Sequence, residues 1–434
     1  MPTIRPFEIG LIVAFIIAAL VGLFVLSTHK SEENKAQALY GTSFSIWGTA
    51  DAEAVNGFIH DLAETNDALK VVQYRQVDPR TFESELTNAI AEGKSPELIL
   101  IPHTFLASLR TKLQPLSFET FPERTFRDTY IDGAAIFMLS DGVYGFPVAV
   151  NPLVMYWNRD IFSSSGLAQP PKTWEELVGT VAPLITRVDD RRTITQSAMS
   201  FGEYANVLHA KEILSLLFLQ AGSTIVDEQN KAYAVTIGRN TTGGLPPGES
   251  VLPFYTQFAD PTKQLYSWNR SLPTDRTAFL QGTLALYFGS GNERTRLDEE
   301  NPNLNFDMAE VPQGSGATIR RGYGDFYAFA IPRGSKNPAG SYAIATLFSN
   351  AQNAQVLAKA MLMAPVYRAQ MNAAAGDLYA GILNQAALIA RGWLDPDPIG
   401  SASVFRQMVE EVMISSGRIQ QIVNDTVHRL EALF

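Results

Sequence analysis

Apolar and polar positions recur along this chain with two periods, and the alternation between them lays out its elements. Thr42 to Trp47 reads as a first strand, and Asp51 suits the N-cap of a helix that buries Val55, Phe58, Ile59 and Leu62. Those four positions fall at i, i+3, i+4 and i+7, one face of a helix. Leu69 to Tyr74 reads as a second strand. Asp78-Pro79 then opens a helix with Phe82, Leu86, Ala89 and Ile90 inward and Gly93 past its end, the usual asymmetry of proline at the start and glycine at the stop. Leu98 to Ile101 is a short, continuous apolar strand of the kind buried on both faces. The order β-α-β-α-β implies a parallel sheet with helices on both sides. Ligands of such sheets sit at the carboxyl ends of the strands, here the loops Gly48–Asp51 and Pro102–Thr104. His103 and Thr104 then face a cleft, with an ordinary surface-loop histidine as the equal alternative.

The stretch Asp141 to Leu177 carries a second pattern. Phe146, Val148, Val150, Leu153, Val154, Tyr156 and Trp157 form β-branched and aromatic runs, yet Pro147 and Pro152 interrupt them. Proline has no amide to donate to a central ladder, so this spacing predicts a strand that leaves one sheet and enters another, as a hinge does. Thr173-Trp174-Glu175-Glu176 reads as a capping box with Thr173 at the N-cap and Glu176 reaching back, and Trp174 as core. Beyond it, Lys211–Gln220 predicts a buried helix. Pro253–Phe258, Asp275–Gln281 and Leu297–Asn301 predict surface helices, and Thr283–Phe288 and Phe326–Ile331 predict strands. Asn337-Pro338 opens a helix to Phe348, and the remainder from Asn350 is helical with breaks at Ala364-Pro365 and Asp395–Pro398. Gly238–Gly248 is the loop expected to be most flexible.

Composition narrows the classes. At 434 residues, 46% hydrophobic and 18% charged, the chain can bury two cores. A formal charge of −10 with scattered Lys and Arg opposes nucleic-acid binding, which needs a basic patch. There is no cysteine, hence no disulfide, thiolate metal site or lipid-modified cysteine. Ile9 to Leu26 is an uncharged apolar run of about 18 residues, roughly 27 Å as a helix, long enough to cross a bilayer core. Ser27-Thr28-His29-Lys30 offers no convincing small-x-small cleavage site, which favours a retained anchor over a removed signal peptide. Charges flanking the run leave its orientation open, and Ser31–Leu39 reads as a polar tether.

Motifs for chemistry are missing. No phosphate loop, G-x-S-x-G, H-E-x-x-H or complete G-x-G-x-x-G occurs. Histidines 29, 60, 103, 209 and 428 are never at metal-ligand spacing. Glu299-Glu300 and Asp189-Asp190 are adjacent acids in polar turns and read as solvated. A glycosidase whose carboxylates lie far apart in sequence stays open, although nothing nominates a pair. Aromatics in polar turns are more suggestive: Trp268, Trp393, and Tyr323 between two glycines. Each suits stacking on a sugar or apolar solute, with core packing as the equal alternative for the two tryptophans.

The order of these motifs resembles the bacterial extracellular solute-binding proteins, specifically the maltose-binding-like group that serves ABC importers. The resemblance rests on five features: Ser45-Ile46-Trp47; the run Ala89 to Ile99, AIAEGKSPELI; the proline-broken strand pair; Ala278 to Leu286, AFLQGTLAL; and Phe329 to Pro338, FAIPRGSKNP. It implies an α/β, two-lobe periplasmic-binding-protein-like fold (type II) behind one N-terminal transmembrane helix. Residues 1–38 would form anchor and tether, 39–148 with 312–350 the first lobe, and 149–311 with 351–434 the second. Crossovers near Pro147–Asn151 and Val311-Pro312 would let the lobes close by hinge motion. By position, Trp47, Thr49, Asp51, His103 and Thr104 would line the cleft from the first lobe, Asn151 would sit at the hinge, and Phe201, Glu203 and Tyr204 would face it from the second lobe. Asn292 stands where sugar binders commonly carry tryptophan. Trp268, Tyr323, Asp325 and Trp393 complete the candidate binding set. The resemblance further implies a body outside the membrane, a saccharide or similar polyol-rich solute, an ABC permease as partner, a monomer, and no catalytic residue, cofactor or metal. A ligand-sensing ectodomain and a surface glycan-acting enzyme are the alternatives.

Overall fold

The structure, a computed structural model, describes residues 40–229, 232–239, 244–372 and 378–434. The expected membrane helix Ile9–Leu26 lies outside the described residues, as do positions 240–243 of the glycine-rich loop. No helix among the described residues is long and apolar enough to cross a membrane.

Strand β1, Phe44–Gly48, leads into helix α1, Ala52–Thr65, whose first turn is capped by Asp51 Oδ1 accepting the Ala54 amide at 2.9 Å. Val55, Phe58, Ile59 and Ala63 are buried, and Leu62 is half-buried at the edge of that face. The second strand starts later than its apolar pattern suggests. Asn66 accepts the Ala68 amide, and the chain makes a 3-10 turn over Asp67–Val71 before β2, Val72–Gln76. Asp78 likewise turns back onto the Arg80 amide, so helix α2 begins at Phe82 and runs to Ala91. Strand β3, Leu98–Pro102, is buried at all five positions, and β1 pairs in parallel with both β2 and β3.

Strand β4, Phe146–Asn158, organises the rest. All 13 of its residues are buried. Its partners are β5, Ile194–Met199, through β6, Leu284–Ser290; β7, Phe306–Ala309; and β8, Gly322–Ala330. Up to Pro152, β4 is antiparallel to β8, and from Leu153 it is antiparallel to β6. The strand order β2-β1-β3-β8-β4-β6-β5 therefore changes hands inside one strand. Pro152 is the last residue paired with β8, where a missing amide leaves no donor stranded. The chain returns over residues 310–321, because β7 pairs with the second half of β4 and β8 with the first. These are the two connections expected near Pro147–Asn151 and Val311-Pro312.

Several boundaries move. Helix α3, Ala210–Gln220, and helix α4, Pro338–Phe348 with Asn337 as N-cap, lie where the pattern put them. The helix expected from Pro253 begins at Pro247 and carries Pro253 inside it, because Pro247 occupies the first turn, where no amide is required. Thr173 Oγ1 caps the Glu176 amide at 3.1 Å, but the Glu176 carboxylate takes the Lys172 amide instead, with the Thr173 backbone bridged to Gln313. The expected capping box is thus half formed, and Trp174 is buried as read. Helix α5, Ala351–Ala360, packs Ala354, Leu357 and Ala358 against Val55 and Phe58 of α1. This keeps it on the first side, rather than with the second lobe from residue 351 as the sequence reading had it.

Candidate functional site

Where β4 passes between its partners, side chains from both sides converge. Asn151 lies opposite Asp325 in the β4–β8 register. Its side chain reaches across to the turn after β6: Nδ2 donates to Asn292 Oδ1 at 3.0 Å, and Oδ1 accepts the Asn292 amide at 3.2 Å. One amide side chain at the crossing thus holds the two halves in register. Asp325 in turn accepts the Tyr323 hydroxyl at 2.9 Å and lies 3.9 Å from His103 Nδ1.

His103 is fully buried at the end of β3. Its Nδ1 accepts the Phe326 amide at 3.2 Å, which places the ring proton on Nε2. Burial, helped by the positive charge of Lys211, lowers its pKa to about 3, so the ring is neutral at physiological pH. Nε2 has no hydrogen-bond partner, and Gly392 passes so close that a Cβ there would lie 2.3 Å from it. Asp325 moves the opposite way. Burial first, and then the charge of Glu212, raise its pKa to about 6, although its side chain keeps 27% exposure.

The second half contributes residues that the sequence reading passed over. Glu293 is held on three sides: Oε1 accepts the Ser290 amide at 2.8 Å and His209 Nε2 at 2.6 Å, and Oε2 accepts the Tyr287 hydroxyl at 2.6 Å. Burial alone would lower the His209 pKa, but the hydrogen bond and charge of Glu293 raise it to about 9. The pair is therefore an imidazolium and a carboxylate, and it fixes the turn that carries Asn292. Lys211 and Glu212 open helix α3. The Lys211 ammonium pairs with buried Asp395 and donates to Ser401 Oγ at 2.7 Å, while Glu212 remains close enough to Asp325 and Tyr204 to raise both. A Lys-Glu pair before a helix of nearly unbroken apolar residues was the available signal.

His103, Asn151, Asn292, Tyr323 and Asp325 are thus brought into one neighbourhood, and Tyr204 is linked to it only through the charge of Glu212, which acts on both it and Asp325. Tyr323 arrives there from inside β8, 4% exposed, rather than from a flexible loop. Other candidates make different contacts. Trp47 is half-buried under Arg75, whose guanidinium lies 4.5 Å from the ring centre. Thr49 buries an unpartnered hydroxyl, Asp51 is spent on the α1 cap, and Thr104 is half-buried in the turn after β3. Trp268 and Trp393 correct the expectation of exposed stacking faces, being 1% and 2% exposed. Trp268 donates to Asn206 Oδ1 at 3.1 Å; Trp393 donates to Ser215 Oγ at 3.0 Å and stacks on Phe405. Each buried indole N–H thus finds its acceptor far away in sequence, 62 and 178 positions from the tryptophan, and not among its polar flanks. Among the described residues no three side chains are grouped to hold a metal ion.

A shared strand between two halves, with a polar cluster drawn from both, is a frame for enclosing a solute. The sequence pattern of the bacterial extracellular solute-binding proteins matches residues 58–374. This chain belongs to that family. Among solved structures, the cyclic α-maltosyl-1,6-maltose binding protein of Arthrobacter globiformis superposes with a TM-score of 0.73 at 15% identity, covering 90% of this chain and 98% of that one. A cyclo/maltodextrin-binding protein complexed with maltotetraose gives 0.70 at 15% identity, with 90% and 97% covered. The GacH receptor of Streptomyces glaucescens gives 0.68 at 17%, with 90% and 98% covered. These likenesses establish the two-lobe fold for this solute-binding protein. A binding protein of Brucella abortus (strain 2308) is 24% identical over 260 residues, and the match spans 58% of each chain.

Proposed function

We propose that this solute-binding protein captures a saccharide between its lobes and delivers it to an ABC permease, without catalysing a reaction. The carrying observation is the crossing in β4, where Asn151 of one pairing region holds Asn292 of the other. Hydroxyl-rich ligands suit this neighbourhood. Amides, tyrosyl hydroxyls and carboxylates supply both donors and acceptors. Structural relatives are described with maltotetraose, acarbose and mannotriose, which supports the same solute class. The residues proposed to hold the solute are Thr104, Asn151, Tyr204, Asn292 and Asp325, with buried His103 and Tyr323 positioning Asp325 from behind and Thr49 and Asp51 at the rim.

The family's extracellular description fits a body outside the membrane. We infer that Ile9–Leu26 anchors it there and that the protein acts as a monomer. A thermal-shift screen of the purified protein against sugars, amino acids, polyamines and anions tests the solute class. A saccharide at about 100 times its dissociation constant should stabilise the fold by roughly 2.7 kcal/mol. A melt shifted by amino acids or polyamines alone refutes the assignment. Product release from an oligosaccharide incubated with the protein refutes the non-catalytic reading.

A further inference from the structure

A cavity of about 570 Å3 contains none of His103, Lys211, Glu212, Glu293 or Asp325 in its wall. It is open on one side and lined by the turn Asp132–Leu139, by the end of α3 with the segment up to Glu228, by Arg321 and by Arg391–Leu394.

Its cations are unevenly matched. The Asp132 carboxylate is shared by Arg368 and Arg391, the latter at 2.8 Å, and the charge of Arg321 also acts on it. Two guanidiniums therefore bond this carboxylate, of which only Arg391 lines the cavity, and Arg321 lies beyond ion-pair range of it. The Arg391 pKa is lowered, first by burial and then by the like charge of Arg321. The Arg321 main chain is pinned: its amide donates to Gln313 Oε1 at 3.0 Å, and its carbonyl accepts from both Gln220 and Gln313 at 3.0 Å. The guanidinium itself reaches only the Arg320 carbonyl, at 3.4 Å, and no described carboxylate lies in ion-pair range of it. The other acids in the wall are engaged. Glu228 takes Arg110 and the Ser140 hydroxyl, and Asp227 takes the Thr224 hydroxyl.

We propose that this cavity is a second ligand site, for a small oxyanion such as a carboxylate or phosphate group, held between Arg321 and Arg391. Planar guanidiniums recognise such groups through paired hydrogen bonds. Ile136, Met138 and Leu219 in the wall would cover an organic body attached to the anion. The wall includes Gly392, which packs on His103, so the cavity adjoins the saccharide cluster without sharing its polar side chains, and variants on either side tell the two readings apart.

The test is calorimetric titration of the full-length protein with inorganic phosphate and, separately, with citrate, at fixed ionic strength. Native protein should bind at least one saturably, Arg321→Gln should bind it about tenfold or more weakly, and Asn151→Ala should bind it unchanged. Arg321→Lys keeps the charge without the fork. It should fall between the two, and it serves if the Gln variant does not fold. Citrate binding tighter than phosphate supports an organic anion lying on the apolar wall; the reverse supports the inorganic ion. Absence of saturable binding by both probes overturns the proposal, as does equal affinity in Arg321→Gln. Binding lost in Asn151→Ala but kept in Arg321→Gln would put the anion in the other cluster and also overturn it.

Discussion

Asp325 shows how one side chain at the crossing couples the fold to pH. Its pKa of about 6 lies above the ordinary carboxylate value because burial and Glu212 both disfavour its charge. A carboxylate raised on folding binds more protons in the folded state, so its contribution is fully present below about pH 4 and is lost as pH rises through 6. Asp325→Asn should remove that loss. Denaturant unfolding of both proteins from pH 4 to 7.5 checks it: the variant should gain on the native protein as pH rises, and a constant difference contradicts the assignment. Asp275, also raised to about 6, contributes to both proteins and cancels in the comparison. Trp268 makes a second residue-scale case. With the indole 1% exposed, Trp268→Ala should cost about 3–5 kcal/mol of stability while leaving the solute affinity of the folded protein intact. A normal melt with lost affinity would restore it to the ligand surface.

The turn after β6 shows what holds an element in place for binding. Glu293 binds the Ser290 amide, the His209 ring and the Tyr287 hydroxyl together, and Asn292 is carried by the same turn. Glu293→Gln keeps the shape but removes the charge that raises His209. An NMR titration should then find the His209 pKa well below about 9; a value unchanged from the native protein contradicts the pairing. This element also shows where sequence reading stopped. Asn292 was legible near the cleft only through the resemblance, as the position where sugar binders commonly carry tryptophan. His209 was legible only as a histidine off metal spacing, since its partner lies 84 positions away and tertiary contact alone defines the pair. The two tryptophans failed for a related reason: the acceptors that allow their burial, Asn206 and Ser215, lie 62 and 178 positions away, so the polar local sequence alone made them look exposed.

Across the whole molecule, the pattern of prolines carried most of the architecture. Pro147 and Pro152 in an otherwise strand-like run foretold a strand that changes partners, and β4 does so between Pro152 and Leu153. The lobe assignment of α5 was not legible, because an amphipathic helix announces a buried face without saying which sheet covers it. A protein whose lobes share one strand should become more compact when solute fills the space between them. Small-angle scattering should therefore show a smaller radius of gyration with a bound saccharide, and no change would argue against hinge closure. The central claim is a saccharide site at the β4 crossing. It is tested most directly by calorimetric titration of native protein and Asn151→Ala with a panel of malto- and manno-oligosaccharides. The native protein should bind at least one saturably, and the variant, still melting cooperatively, should bind it at least about tenfold more weakly; equal affinity in the two proteins, or no binding of any saccharide, would contradict the assignment.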